Sequence, residues 1–366
     1  MMPSLILNTC GTSLLTNGGI SDDLRRLISK YSNYKQQDIE PDVFVNLQKH
    51  VEQRRQLLLQ ADEANAQKNS AELNSLLSWQ SQHILNSQDI YYLLATDTYL
   101  GQYTADSIAL WLQQRGCQTQ VISSDGLNTA SLQGFRQSLS SLVKQLAELF
   151  DGYRANGYAV YFNLTGGFKG LNGFLQALST IYADQTFYLF ESSQELLYIP
   201  KLPFLLDENI IHRHLYAFRR LSNDLPVQRN DWKEIPDSLL FQLDEQTVVL
   251  SEWGELLWHS GYKQIYQQEL LDSISERVIY ADTFEVSTKS LSPQILQIIN
   301  ERIAELASYT ENDCKHALKS LDPKPLQEKQ YKDRNLWECD LDPHHRIFMQ
   351  KQGYSFVLEK VTKALH

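Results

Sequence analysis

Residues 158–173, Tyr-Ala-Val-Tyr-Phe-Asn-Leu-Thr-Gly-Gly-Phe-Lys-Gly-Leu-Asn-Gly, read as a buried strand that passes through Asn163, Thr165, Gly166 and Gly167 into a helix. Such a turn offers free backbone N–H groups, two residues without Cβ and one cation, Lys169, at a helix N-terminus, a combination that holds phosphate. The chain opens in the same way: the apolar strand Ser4-Leu5-Ile6-Leu7 runs at once into Asn8-Thr9-Cys10-Gly11-Thr12-Ser13. Neither turn has the Walker spacing or the G-x-G-x-x-G fingerprint. Either turn alone is explained as well by tight strand-to-helix geometry, whereas the pair points to a ligand with several phosphates. The N–H groups of Gly11, Thr12, Gly166 and Gly167 are expected to face them.

The elements that must position these turns alternate between strand and helix. Strands are expected at Leu5 to Leu7, Ile90 to Leu94, Thr119 to Ile122 and Ala159 to Asn163, with helices at Tyr103 to Arg115, Gly134 to Phe150 and Leu171 to Tyr182. This predicts an α/β fold with a parallel, Rossmann-like sheet covered on both faces and ligands at the C-terminal strand ends. A third polar stretch, Thr96, Asp97 and Thr98, falls at such an end too. Between the first two strands a polar segment, about 39–86, reads as a helical hairpin on the outside of the domain. A β-hairpin around Phe187 to Ile199 closes the domain, because Pro200 and Pro203 cannot donate to a ladder.

Beyond this first domain, 1–205, residues 206–272 read as a helical linker with a small helical or winged-helix-like connector. Residues 273–366 read as a small α+β module: a strand at Val278 to Tyr280, a helix opened by Pro293, and a terminal meander turning at Gln352 and Gly353. The net charge of −11 argues against a general nucleic-acid coat. Residues 286–366, however, hold 12 Lys and Arg against 11 Asp and Glu, a balance of +1, which leaves −12 in the first 285. Contact with RNA phosphates is therefore expected from the C-terminal segment. Four scattered cysteines, the lack of an 18-residue apolar run and the lack of a leader pattern predict a soluble cytoplasmic protein without a metal or resident cofactor and without a membrane partner.

The first domain resembles the CARF sensor domains of CRISPR-associated effectors, on Asn8 to Ser13, Leu94 to Thr98, Asn163 to Lys169 and the closing Ile199-Pro200-Lys201-Leu202-Pro203. The resemblance implies a homodimer that binds a cyclic oligoadenylate across its two-fold axis, with cyclic tetra-adenylate favoured as activator. It further likens Ser13 and Lys169 to the Ser/Lys pair with which some CARF domains slowly cleave their own ligand.

The C-terminal module resembles RelE-type ribonuclease toxins, on Val278 to Tyr280, Leu291-Ser292-Pro293, Leu321 to Leu326, Leu336-Trp337-Glu338, His345 to Phe348 and the final Lys363-Ala364-Leu365-His366. Together the two resemblances imply a CARF–RelE fusion, an mRNA interferase of type III CRISPR defence that acts on the ribosome, recruited through RNA or a ribosomal protein. Metal-independent cleavage needs a base for the 2′-hydroxyl, stabilisation of the phosphorane and an acid for the 5′-oxygen. Arg346 is implied as the phosphate-binding arginine, His366 as a proton-transfer group, and Glu338 as general base where RelE toxins proper carry lysines. Lys332, Arg334 and Lys363 are expected to add positive charge, and Tyr354 to stack on a base. Two other readings stay open: a ring nuclease with an inert C-terminal module, and a ligand-responsive DNA-binding regulator using 236–272.

Overall fold

A computed structural model describes residues 2–190, 195–201, 206–315, 321–326 and 336–363. The chain divides into two compact units, Met1–Leu205 and Leu206–His366. In the first, strands β1 (Ser4–Thr9), β2 (Ile90–Leu94), β3 (Gln118–Ile122), β4 (Ala159–Asn163), β5 (Gln185–Phe190) and β6 (Glu195–Ile199) form one sheet in the order β3-β2-β1-β4-β5-β6. All pairs are parallel except β5 with β6. This is the Rossmann-like order, and its direction of winding reverses between β1 and β4. Central strands of such a sheet are buried on both faces, which is why β1 and β2 read as unbroken apolar runs.

One face is covered by the helices Leu132–Ala155 and Lys169–Tyr182, where Phe150 meets Phe162 of β4 at 5.3 Å between ring centroids. The other face is covered by the helix Tyr99–Gln113 and by the insert, and in the insert composition misleads. Instead of an outer hairpin, the segment forms three helices, Pro41–Leu59, Glu63–Asn69 and Ala71–Gln82. Leu73, Leu76 and Trp79 pack in one core with Ile6 of β1, Leu93 of β2 and Phe187 of β5. Each such side chain contributes about 1.5–3 kcal/mol by leaving water, so the polar faces of these helices decorate an element that the sheet requires.

The second unit begins with the short helices Asn209–Arg213, Leu215–Leu221 and Arg229–Trp232, a two-stranded hairpin of β7 (Leu240–Gln242) and β8 (Val248–Leu250), and the helix Glu252–Tyr266. A five-stranded sheet follows, β10-β11-β12-β13-β9, built from β9 (Val278–Tyr280), β10 (Lys324–Pro325), β11 (Leu336–Asp342), β12 (His345–Gln352) and β13 (Ser355–Lys363). Two helices, Asp282–Thr288 and Pro293–Glu311, lie between β9 and β10 in sequence. Ile299, Ile303 and Ala307 of the longer one share a core with Cys339, Ile347, Met349 and Leu358 of the sheet. Among the described residues no helix is long and apolar enough to cross a membrane.

Candidate functional site

The reversal point of the first sheet brings the two Gly-rich turns into contact. A Cβ placed on Gly11 would stand 3.0 Å from the backbone nitrogen of Gly167, and one on Gly166 only 2.3 Å from the carbonyl oxygen of Thr9. Gly167 itself has φ +81°, a conformation natural to glycine. Thr9 locks the turns together, donating from Oγ1 to the Gly166 carbonyl at 2.7 Å, while Asn172 Nδ2 donates to the same oxygen at 2.8 Å.

The buried polar side chains expected to meet ligand bond one another and the backbone around this crevice. Asn8 and Asn163 are each 1% exposed. Asn163 Nδ2 donates to Asn8 Oδ1 at 3.0 Å, its Oδ1 accepts from Thr165 Oγ1 at 2.8 Å and Ser75 Oγ at 3.0 Å, and Asn8 Nδ2 donates to the carbonyls of Ile6 and Tyr92. Thr165 Oγ1 also accepts from the N–H of Leu189. Such a network satisfies groups that would otherwise be costly to bury.

Glu72, from the insert, is the group that sequence reading missed. It is 2% exposed and accepts from the N–H of Gly11 at 2.8 Å, from Ser70 Oγ at 2.7 Å and from Ser13 Oγ. The Gly11 N–H therefore faces a carboxylate of the chain itself. Ser13 Oγ in turn accepts from the N–H of Ala71 at 2.9 Å, so its proton and one lone pair are both engaged. Behind the turn, Arg54 Nε donates to the carbonyl of Leu14 at 2.7 Å, and His50 Nε2 lies 2.9 Å from that of Leu15. Burial lowers the pKa of this guanidinium. The one local signal for Glu72 is Ser70, whose hydroxyl caps its helix by accepting from the N–H of Leu73.

Thr96, Asp97 and Thr98 serve the β2 end differently. Thr98 Oγ1 caps the helix Tyr99–Gln113 by accepting from the N–H of Gly101, and lies 2.9 Å from Thr96 Oγ1. Asp97 accepts from the N–H of Gly126 at 2.7 Å and pairs with Lys35 at 2.7 Å. The hydrogen bonds that Lys35 donates to Asp97 and Asp125 raise its pKa. At the β4 end, by contrast, Phe168 stands at the N-cap of Lys169–Tyr182 and offers no side-chain acceptor. The first-turn N–H groups there lack intrahelical partners, and Lys169 beside them is exposed. Thr12, half-buried, begins the short turn Ser13–Thr16. Next to the crevice a groove of about 1030 Å³ is lined by Ser13, Lys68, Asn74, Thr165, Tyr188 and Phe190, among others.

In the second unit, cross-strand partners share a sheet face. Register pairs Lys324 with Glu338, Glu338 with Phe348, Phe348 with Lys360, Asp340 with Arg346, and Arg346 with Thr362. Cys339, Ile347 and Met349 face the helices, so Glu338, Asp340, Arg346, Phe348 and Lys360 gather on the face turned away from them. Arg346, 16% exposed in its side chain, pairs through Nε with Asp340 at 2.9 Å and donates from Nη1 to the carbonyls of Asp342 and His345. Lys363 is paired with His345 and so lies on the opposite face from Arg346. Tyr354 is exposed at the β12–β13 turn, 6.0 Å from the Arg277 guanidinium. Lys332, Arg334 and His366 lie outside the described residues. Among the described residues no group of three His, Cys, Asp or Glu side chains is gathered to hold a metal ion.

Residues 67–202 match a family described as CRISPR-associated protein (Cas_APE2256). The matched stretch begins within the helix Glu63–Asn69 and runs through the helix carrying Glu72, β2, β3, β4 and the β4 turn to the last strand of the first sheet. The first unit is thus similar to a CRISPR-associated family over these residues.

Proposed function

We infer that this chain is an ancillary effector of CRISPR defence, in which the first unit senses a cyclic oligoadenylate and the second cleaves RNA. The observation that carries the reading is the convergence of the β1 and β4 turns at the reversal point of the sheet, within a unit similar to a CRISPR-associated family. Ligands of open α/β sheets bind at that point, and the uncapped helix at Lys169 supplies N–H groups and charge for a phosphate. A cyclic tetra-adenylate shared across a homodimer fits the reading. Ser13 and Lys169 are assigned to binding the ligand phosphates.

For the second unit, the proposed reaction is attack of an RNA 2′-hydroxyl on the adjacent phosphorus, with departure of the 5′-oxygen. Arg346, steered by Asp340, would hold the phosphorane, Glu338 would take the 2′ proton, and Lys324 and Lys360 on the same face would hold neighbouring phosphates. The test is incubation with translating ribosomes and mRNA, with and without cyclic tetra-adenylate, and with EDTA. Cleavage should require the activator, survive the chelator and fall by about a hundredfold or more in Arg346→Ala, the loss typical of removing one donor to a developing charge. Activator-independent cleavage, or none in any condition, refutes the reading.

A further inference from the structure

The donors a ligand phosphate would seek at the β1 turn already hold an anion. Glu72 takes the Gly11 N–H on one oxygen and the Ser13 and Ser70 hydroxyls on the other. Among the described residues no Lys, Arg or His pairs with it, so its charge is balanced by these dipoles and by the N-terminus of its own helix, in whose first turn it stands. A Cβ on Gly166 would come within 2.5 Å of its Oε1, which puts the carboxylate against the β4 turn as well. A phosphate and Glu72 cannot both occupy these donors, and two anions in one buried site repel.

We propose that Glu72 is the resident anion of the β1–β4 crevice, and that a ligand phosphate takes the Gly11 N–H and Ser13 hydroxyl by displacing it, moving the start of the Ala71–Gln82 helix. The proposal rests on the reading of the crevice as a phosphate-binding site. Displacement acts on the helix start through the bonds Ala71 N–H to Ser13 Oγ and Leu73 N–H to Ser70 Oγ. Further along the same helix, Ser75 bonds Asn163, and Trp79 stacks on Phe187 of β5. Ligand occupancy is thus converted into a movement of the insert, an element that the ligand need not touch.

The test titrates wild type, Glu72→Gln and Glu72→Asp with cyclic tetra-adenylate and, separately, with inorganic tripolyphosphate by calorimetry. Amide exchange over residues 67–78 is followed in the wild type with and without cyclic tetra-adenylate. Removing the charge in Glu72→Gln should tighten binding of both probes by about tenfold, the equivalent of about 1.4 kcal/mol. Glu72→Asp, one methylene too short to bridge Gly11, should tighten it less. Wild-type exchange at Ala71 and Leu73 should speed up on binding. Binding of cyclic tetra-adenylate unchanged or weakened in both variants, with unchanged exchange, overturns the proposal and leaves the sensor reading standing. If only tripolyphosphate binds, and binds Glu72→Gln tighter, the proposal stands and the cyclic-oligoadenylate reading falls. Binding of neither probe to any form overturns both. Should Glu72→Gln fail to fold, Glu72→Asp and the wild-type exchange decide.

Discussion

The contact between the two turns makes Gly166→Ala the sharpest perturbation of the first unit. The new methyl would lie 2.3 Å from the Thr9 carbonyl oxygen, 2.5 Å from Glu72 Oε1 and 2.6 Å from Glu72 Cγ. Glu72 can swing away, but the Thr9 oxygen is backbone of a central strand, fixed by pairing with Leu94. Relief therefore requires the β4 turn to retreat by about 1 Å, which breaks the bonds that Thr9 Oγ1 and Asn172 Nδ2 make to the Gly166 carbonyl. Overpacking costs about 1–3 kcal/mol, and each of the two lost hydrogen bonds about 1 kcal/mol, so a destabilisation of about 3–5 kcal/mol is expected. For a unit of this size that lowers Tm by about 6–20 °C. Gly173→Ala is the control: it lies inside the Lys169–Tyr182 helix with nothing within 4 Å of a new Cβ. It should gain about 0.5–1 kcal/mol from helix propensity, and Tm should rise by about 1–4 °C. Scanning calorimetry separates the two. A Gly166→Ala protein melting within 1 °C of wild type would refute the contact geometry. Rescue by adding Glu72→Ala would show that the carboxylate, not the strand, is the obstacle.

Asn163→Ala should cost about 2–3 kcal/mol in urea unfolding, because it strands Asn8 Oδ1 and Ser75 Oγ without their partner in a buried site; a loss below 1 kcal/mol would contradict the network. With a disulfide-exchange thiol reagent at pH 8, the half-buried Cys117 and Cys314 should react in the folded protein, and Cys10 and Cys339 only on unfolding. Burial pushes the thiol of Cys339 up to about 12, and burial with the nearby Glu72 charge raises that of Cys10; prompt reaction of all four would refute this. Arg220 forks onto Glu311 through two bonds of 2.8 and 2.9 Å, and Arg220→Met should destabilise the second unit by about 2 kcal/mol, discounted for the partial exposure of Glu311. Burial pushes the Glu311 carboxyl up, but Arg220, Ser275 and Arg277 together hold it below its ordinary value. The pair's stabilisation is therefore present above about pH 4.3, the unfolded value, and is lost as pH falls through the folded one. Amide exchange of the Pro293–Glu311 helix at pH 7 and pH 3 should show that loss in wild type and not in Glu311→Gln.

The sheet was legible in the sequence because its central strands are buried on both faces, so Leu5-Ile6-Leu7 and Ile90 to Leu94 stand out without periodicity. The helix starts were harder to place, and for an instructive reason. The sequence places Thr98 in a ligand site and begins the following helix at Tyr103; in the structure Thr98 caps a helix that starts at Tyr99. Polar residues at a strand end serve caps, turns and ligands alike, and composition does not separate the three. The insert was misplaced because Leu73, Leu76 and Trp79 form a narrow stripe in a Gln- and Asn-rich background. Glu72 was invisible because Gly11 lies 61 positions away. In the second unit, pairing sorts what the sequence lists together: Arg346 shares a face with Glu338, while Lys363 lies on the other. Sorting by satisfied bonds does the same for the crevice. Asn8, Thr9, Asn163 and Thr98 have bonding partners inside the protein and shape the crevice. The capacity left for a phosphate lies at the uncapped helix start of Lys169, and at the Gly11 and Ser13 donors only once Glu72 lets go. On the proposed reading, recognition by such a crevice is an exchange of anions, in which the chain's own carboxylate sets the affinity that a ligand must exceed.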